Sequence, residues 1–284
     1  MSPLIVALIN LVVLAAIFVP LERVFPARPG QSILRPALAL DGCFFFGQYL
    51  LTSAASLAAL GLVSGALRDH GAWLRVAAHL PSWLQVALAV VLGDFVVYWF
   101  HRACHRFDVL WRFHAVHHSS EHLDWLAAHR EHPLDGITTQ LCMNLPAMLL
   151  GVHMELLAGV AVFRGMWAIF VHSNVRVPLG PLRLLFGAPE LHHWHHARHA
   201  PGQSTTHNYA NLAPYLDVLF GTHHRPEGEE RYPLGLDEPW KPSWLHMMLR
   251  PFTRNEAASR PAAGSRERAF RRSVSGSRSI RRAS

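Results

Sequence analysis

The stretch WLQVALAVVLGDFVVYWF, Trp83 to Phe100, runs without a break into HRACH, His101 to His105. The first segment carries a single charge, Asp94, and the second carries two imidazoles four residues apart. Residues at i and i+4 share a helix face, so His101 and His105 project together. The helix that presents them is long and apolar enough to cross a bilayer. This junction decides the fold: a membrane helix hands metal-binding side chains to the aqueous edge.

Three further apolar blocks surround it. Leu4 to Pro20 is apolar except for Asn10, and Cys43 to Leu67 carries no charge. Leu141 to Val171 is interrupted mainly by His153, Glu155 and Arg164. A spanning helix needs about 20 apolar residues. The blocks starting at Leu4, Cys43 and Trp83 therefore read as crossings. The last is too long for one helix and holds Pro146 and Gly151 near its middle. It reads as two half-length helices forming a hairpin. The expected fold is an all-α integral membrane protein with about four transmembrane helices, three spans plus a hairpin, under a His-rich helical cap. A soluble bundle with buried helices fits less well, because 51% of the chain is hydrophobic and the uncharged blocks are long. The first block lacks a basic leader and a small-residue cleavage site, so it reads as a retained helix.

Arg23, Arg28 and Arg35 follow the first block, and Arg102, Arg106 and Arg112 follow the third. Arg68 and Arg75 lie between the second and third. The positive-inside rule then sets the 21–40 loop and the cap in the cytoplasm. Residues 1–253 read as one membrane-embedded domain. Residues 254–284 carry nine Arg and two Glu, which is the whole net charge of +7. With almost no apolar content this tail is expected to be disordered and dispensable for chemistry. Beside a bilayer it would touch anionic headgroups, if anything, and no nucleic acid is expected. Cys43, Cys104 and Cys142 form no CxxC pair and read as small hydrophobes.

Seventeen of the 21 histidines fall in residues 101–132 and 172–224, too many for one four-coordinate site. HRACH gives His101 and His105, HAVHH gives His114, His117 and His118, and HHWHH gives His192, His195 and His196. Imidazole suits Fe, Cu, Zn and Ni, so eight ligands at these spacings point to a pair of metal ions. His192 is preferred to His193 because it repeats the HxxHH spacing of the second box. His172, at the end of the last apolar block, is a ninth candidate. No catalytic side chain is assigned beyond the metal centre. Asp94, His132, Asn174 and Asp217 are candidates to orient the ligands or line a substrate channel, as are Asp124 and Asp135 to hold a ring nitrogen. For Asp94 a plain ion pair, and for the others a capping or surface role, reads about as well.

These boxes and their surroundings resemble the fatty acid hydroxylase/sterol desaturase superfamily of membrane di-iron oxygenases. The resemblance covers about residues 90–222. It includes Asp94, Tyr98, His101–Arg102, Arg130-Glu-His132-Pro133, Phe170-Val-His172-Ser-Asn174, Asn208–Tyr209 and Asp217 to Thr222. His207 departs from the family's usual acidic residue and Ala210 from its Gly. The resemblance implies a membrane base with a cytosolic cap and two non-haem Fe ions. It also implies O2-dependent hydroxylation or desaturation of a sterol, fatty acyl or related lipid. No haem-binding domain is evident, so electrons would come from a separate reductase, ferredoxin or cytochrome. Rival readings are a membrane-bound zinc hydrolase and a metal-binding or transport protein. The first lacks HExxH, since Glu131 in His129-Arg-Glu-His132 is misplaced. The second wants ligands at mid-membrane.

Overall fold

The computed structural model describes residues 1–68, 72–198, 207–225, 230, 232–237 and 240–253. The Arg-rich segment 254–284 and His199 lie outside the described residues.

Helix α1 (Pro3–Val24) opens with Ser2 as its cap and a proline in its first turn, where the missing N–H costs nothing. Only Ala7, Leu14 and Phe18 are buried along it. A helix apolar all round with one narrow packed stripe must meet hydrocarbon on its other faces. Helix α2 (Leu38–Gly47) continues through a π-helical turn, Gln48–Thr52, into α3 (Ser53–Arg68). Helix α4 (Ser82–Arg106) is one unbroken rod that joins the apolar stretch to the first histidine box. Phe107 alone separates it from α5 (Asp108–His118), which carries the second box. A hairpin follows: α6 (Pro133–Leu149), a turn at Gly151 with φ of 80°, and α7 (Met154–His172).

The hairpin stands as expected, but its arms are 17 and 19 residues rather than half-length. Helix α6 starts at Pro133, ahead of the apolar block, because Asp135, Thr138, Thr139 and Gln140 belong to it. His132 as cap and a proline in the first turn were the signal. Pro146 lies inside this helix and does not end it.

Among the described residues four helices are long and apolar enough to cross a membrane: Pro3–Val24, Leu38–Ala66, Ser82–Arg106 and Met154–His172. Short helices α8 (Arg183–Phe186), α9 (Pro189–His195), α10 (Tyr215–Leu219) and α11 (Trp244–Leu249) complete the cap. Among the described residues the only β pairing is two isolated bridges, Pro26 with Val175 and Ala197 with Leu234.

Helices α1, α4 and α7 run towards the cap, whereas α2, α3 and α6 run away from it. At the cap end, Glu22 of α1 accepts hydrogen bonds from the backbone of Trp125 and Asn174. At the opposite end, the Leu150 carbonyl accepts from Ala77, and the Gln85 side chain accepts from His153 at the hairpin turn. The C-termini of α4 and α7 therefore end on the same side, and both histidine windows meet there.

The cap is fastened to the base by a buried quartet. Arg35 grips Asp124 through two hydrogen bonds and reaches Asp41 at 2.7 Å. Asp41 in turn accepts from Arg130 at 2.6 Å. Asp124 also accepts from the backbone of Leu126 and Ala127. Two arginines and two aspartates thus tie the loop after α1, helix α2 and the loop after α5.

Candidate metal centre

The nine candidate ligands gather into two groups. His101, His105, His114, His118 and His195 form one, and His117, His172, His192 and His196 form the other. Within each group the ligand atoms lie within 4.8 Å of one another. Two nitrogens bound to one ion at about 2.1 Å can be at most about 4.2 Å apart, so little contraction is needed. The groups share a wall, with His118 and His196 stacked at 4.3 Å between ring centroids.

Each helix contributes through its periodicity. The i, i+4 pair of α4 and the HxxHH pattern of α5 face each other across the single-residue break at Phe107. Helix α9 supplies His192 and His195, and His196 is its C-cap. Trp111 packs at a tilt beside His105 and His118, and the Tyr209 ring lies against His101, His105 and His195.

Five rings have their Nδ1 atoms taken. His101 donates to the Tyr209 carbonyl at 2.6 Å and His195 to the His207 carbonyl at 2.8 Å. His117 donates to the Arg130 carbonyl at 3.1 Å and His172 to the Ala168 carbonyl at 2.6 Å. His114 donates to Asp135 at 2.8 Å. In a neutral ring, a proton on Nδ1 leaves Nε2 as a bare lone pair. Yet Nε2 of His101 faces Nε2 of His195 at 3.0 Å, and Nε2 of His117 faces that of His172 at 3.0 Å. Lone pair against lone pair at that distance is repulsive without a cation to receive both. The buried Nε2 atoms of His114 and His118 also have no hydrogen-bond partner among the described residues. Burial first, and then neighbouring imidazoles, hold His117, His118, His192 and His196 well below the usual histidine range. The rings are therefore neutral at pH 7, as ligation requires. The donor set fits metal ions.

His192 and His193 separate cleanly. His192 joins its group, with Nε2 at 2.8 Å from that of His172. His193 turns away, with Nδ1 at 2.7 Å from Glu230 and Nε2 at 3.0 Å from the Ser173 carbonyl. His193→Ala should therefore keep the metal content while costing about 1–3 kcal/mol through unpaired buried groups. His192→Ala should lower the metal content. Metal analysis with thermal unfolding on the two variants checks this.

Four other candidates stand apart from the rings. Asp94 pairs with Arg164 of α7 at 2.9 Å and makes no hydrogen bond to His101, so it joins two helices inside the base. His132 caps α6 by accepting from Leu134 and packs on Phe113. Asn174 accepts from the Arg28 backbone. Asp217 accepts from the backbone N–H groups of Tyr209 and Ala210 and from the Thr222 hydroxyl. It thereby fixes the residue whose carbonyl holds His101, one bond removed from the ring. Asp124, a candidate ring partner, pairs with Arg35 instead. Sequence reasoning missed Glu230 and the backbone carbonyls that hold four of the rings. Backbone acceptors carry no residue signature.

Residues 86–222 match the family model described as fatty acid hydroxylase. Ornithine lipid hydroxylase OlsE of Rhizobium tropici is 32% identical over 174 residues, covering 61% of this chain and 52% of the relative. Human alkylglycerol monooxygenase is 30% identical over 175 residues, covering 58% of this chain and 37% of the relative. Very-long-chain aldehyde decarbonylase GL1-11 of Oryza sativa subsp. indica is 31% identical over 155 residues, covering 52% of this chain and 57% of the relative. The chain thus matches between about a third and three fifths of the length of these curated relatives. No solved structure matches the chain. The histidine motifs, the matched model and the relatives agree that residues 86–222 form a fatty acid hydroxylase domain.

Proposed function

We propose that the chain is a non-haem di-iron oxidoreductase that hydroxylates or desaturates a membrane lipid using O2. The observation that carries this reading is the two groups of converging imidazoles, with the Nε2 atoms of His101 and His195, and of His117 and His172, set face to face at 3.0 Å. Two irons would be held by His101, His105, His114, His118 and His195 on one side and by His117, His172, His192 and His196 on the other. Iron bound there supplies the redox chemistry and oxygen activation that an unreactive C–H bond demands.

The chain's own residues have three tasks. The carbonyls of Tyr209, His207, Arg130 and Ala168 and the Asp135 carboxylate hold Nδ1 protons, which fixes each ring's tautomer and orientation. Trp111 and Tyr209 cover the first group and keep bulk water from it. The base brings an apolar chain up from the bilayer, since α4 and α7 end at the ligands. A lipid is the substrate class that such a setting favours, and the lipid-modifying relatives agree. The cap faces the cytoplasm in this reading, because the Arg-rich loop after α1 lies on its side. A separate electron-transfer protein supplies the reducing equivalents.

Reconstitution with iron and an electron donor under 18O2 tests the reading. A labelled hydroxyl on the lipid supports hydroxylation, and an oxygen-dependent double bond without label supports desaturation. Zinc binds nitrogen ligands more tightly than Fe2+ but has no redox chemistry, so zinc-loaded protein should be inactive. Turnover with zinc alone, or without oxygen, would overturn the reading in favour of a hydrolase.

A further inference from the structure

Away from the histidines, a cavity of about 290 Å³ lies between α3, α6 and α7. No histidine lines it. Asp135, on the first turn of α6, holds His114, whereas the adjacent Gly136 faces the cavity, so α6 separates the two sites. Polarity is graded along the walls. Gln48, Thr52 and Glu131 stand at the cap end, and Leu60, Met148 and Leu157 at the other. Leu57 lines the cavity and is also 71% exposed on the surface that faces lipid. A ligand therefore enters from the bilayer, apolar part included.

Glu131 sets the chemistry of the polar end. Among the described residues none hydrogen-bonds or ion-pairs with its carboxylate. The carboxylate lies directly over Gly136, where a Cβ would sit 2.5 Å from Oε2. None of the lining residues is basic. Burial and the nearby Asp135 push the Glu131 carboxyl up, so its ionised form lacks compensation. Gln48 adds a buried amide oxygen without a donor. An acidic side chain and an amide oxygen with no donor among the described residues, beside an apolar channel open to lipid, fit a donor-rich cation on an apolar chain, whose charge would hold the carboxyl ionised. An ammonium brings three N–H donors and the missing charge, whereas an alcohol brings one donor and none.

We propose that this cavity binds the ammonium head and first carbons of an amine-bearing lipid, with Glu131 as its counter-ion. The site is independent of the metal centre and goes beyond the oxidoreductase reading.

The test uses the intact purified protein and a photoreactive dodecylamine whose chain carries a diazirine. The label is mapped by peptide mass spectrometry while dodecylamine or dodecanol competes. The label should fall on α3, α6 and α7 around Leu57 and Met148. Dodecylamine should compete roughly 10-fold better than dodecanol, as a charge-assisted hydrogen bond predicts. Glu131→Gln should erase that preference. If this variant does not fold, Leu57→Trp, which fills the rim without touching the carboxylate, should abolish labelling. Equal competition by the two amphiphiles in wild type, a preference that survives Glu131→Gln, or labelling elsewhere would overturn the proposal. Labelling needs no iron, so failure of the metal reading would leave this result unchanged.

Discussion

His117→Ala should abolish turnover and lower the bound metal from two ions per chain towards one. His117 stands at the seam of the centre. Its Nε2 meets that of His172 at 3.0 Å, its ring packs on His196, and its neighbour His118 belongs to the other group. Loss of a residue that merely orients a ligand costs about 10–100-fold in activity or affinity. Loss of the ligand itself should cost more, and that range is the lower bound for the effect. Asp135→Asn, which weakens the grip on His114 without removing a ring, should fall within the range. His246→Ala is the control. Its imidazole lies on α11 near Arg250 and outside both groups, so metal content and activity should not change. Metal analysis and turnover on the same preparations check this. A His117→Ala protein with two ions and full activity would remove His117 from the ligand set.

The second large effect is structural. Asp41→Ala should lower stability by about 3–5 kcal/mol, because it strips the carboxylate shared by two buried guanidinium groups. Arg35 would keep Asp124, but Arg130 would lose its only ion-pair partner among the described residues. For a domain of this size the melting temperature should fall by roughly 6–20 °C. The Arg130 carbonyl holds His117, so metal should be released at a lower temperature too. Asp41→Asn, which keeps the shape and one acceptor, should show a smaller fall. A drop of only a degree or two in thermal unfolding would mean that the quartet contributes no more than exposed ion pairs do.

The contrast between these two residues shows what the sequence could reveal. His117 was legible because helical spacing is local: it lies three positions after His114, and the HxxHH pattern recurs at His192 to His196. The membrane base was legible for a similar reason, since an uncharged block has few soluble homes. Asp41 carried no such signal. Arg35 lies nearby in the chain but Arg130 is 89 residues away, and no pattern in a single sequence couples the three. The hairpin was read correctly as a hairpin, but its first arm was cut short because hydropathy alone marked the boundary. Asp135 and Gln140 are polar, yet they belong to α6 and face the histidines and the cavity respectively. Asp94 had two readings of equal weight, and the structure gives the ion pair, because Arg164 lies on a helix whose packing against α4 no local motif records. Glu131 drew notice only as an acid misplaced for a zinc hydrolase, and it is the packing of α3 and α7 near it that creates the cavity.

On the proposed reading this chain holds two metal ions, each in a nest of imidazoles and neither in a haem. The most direct measurement is the metal content of the purified full-length protein by mass spectrometry, read with its visible absorption spectrum. The account predicts two non-haem transition-metal ions per chain, falling towards one when His172 and His192 are both changed to Ala. One ion per chain in wild type, none, or a haem absorption band would contradict it.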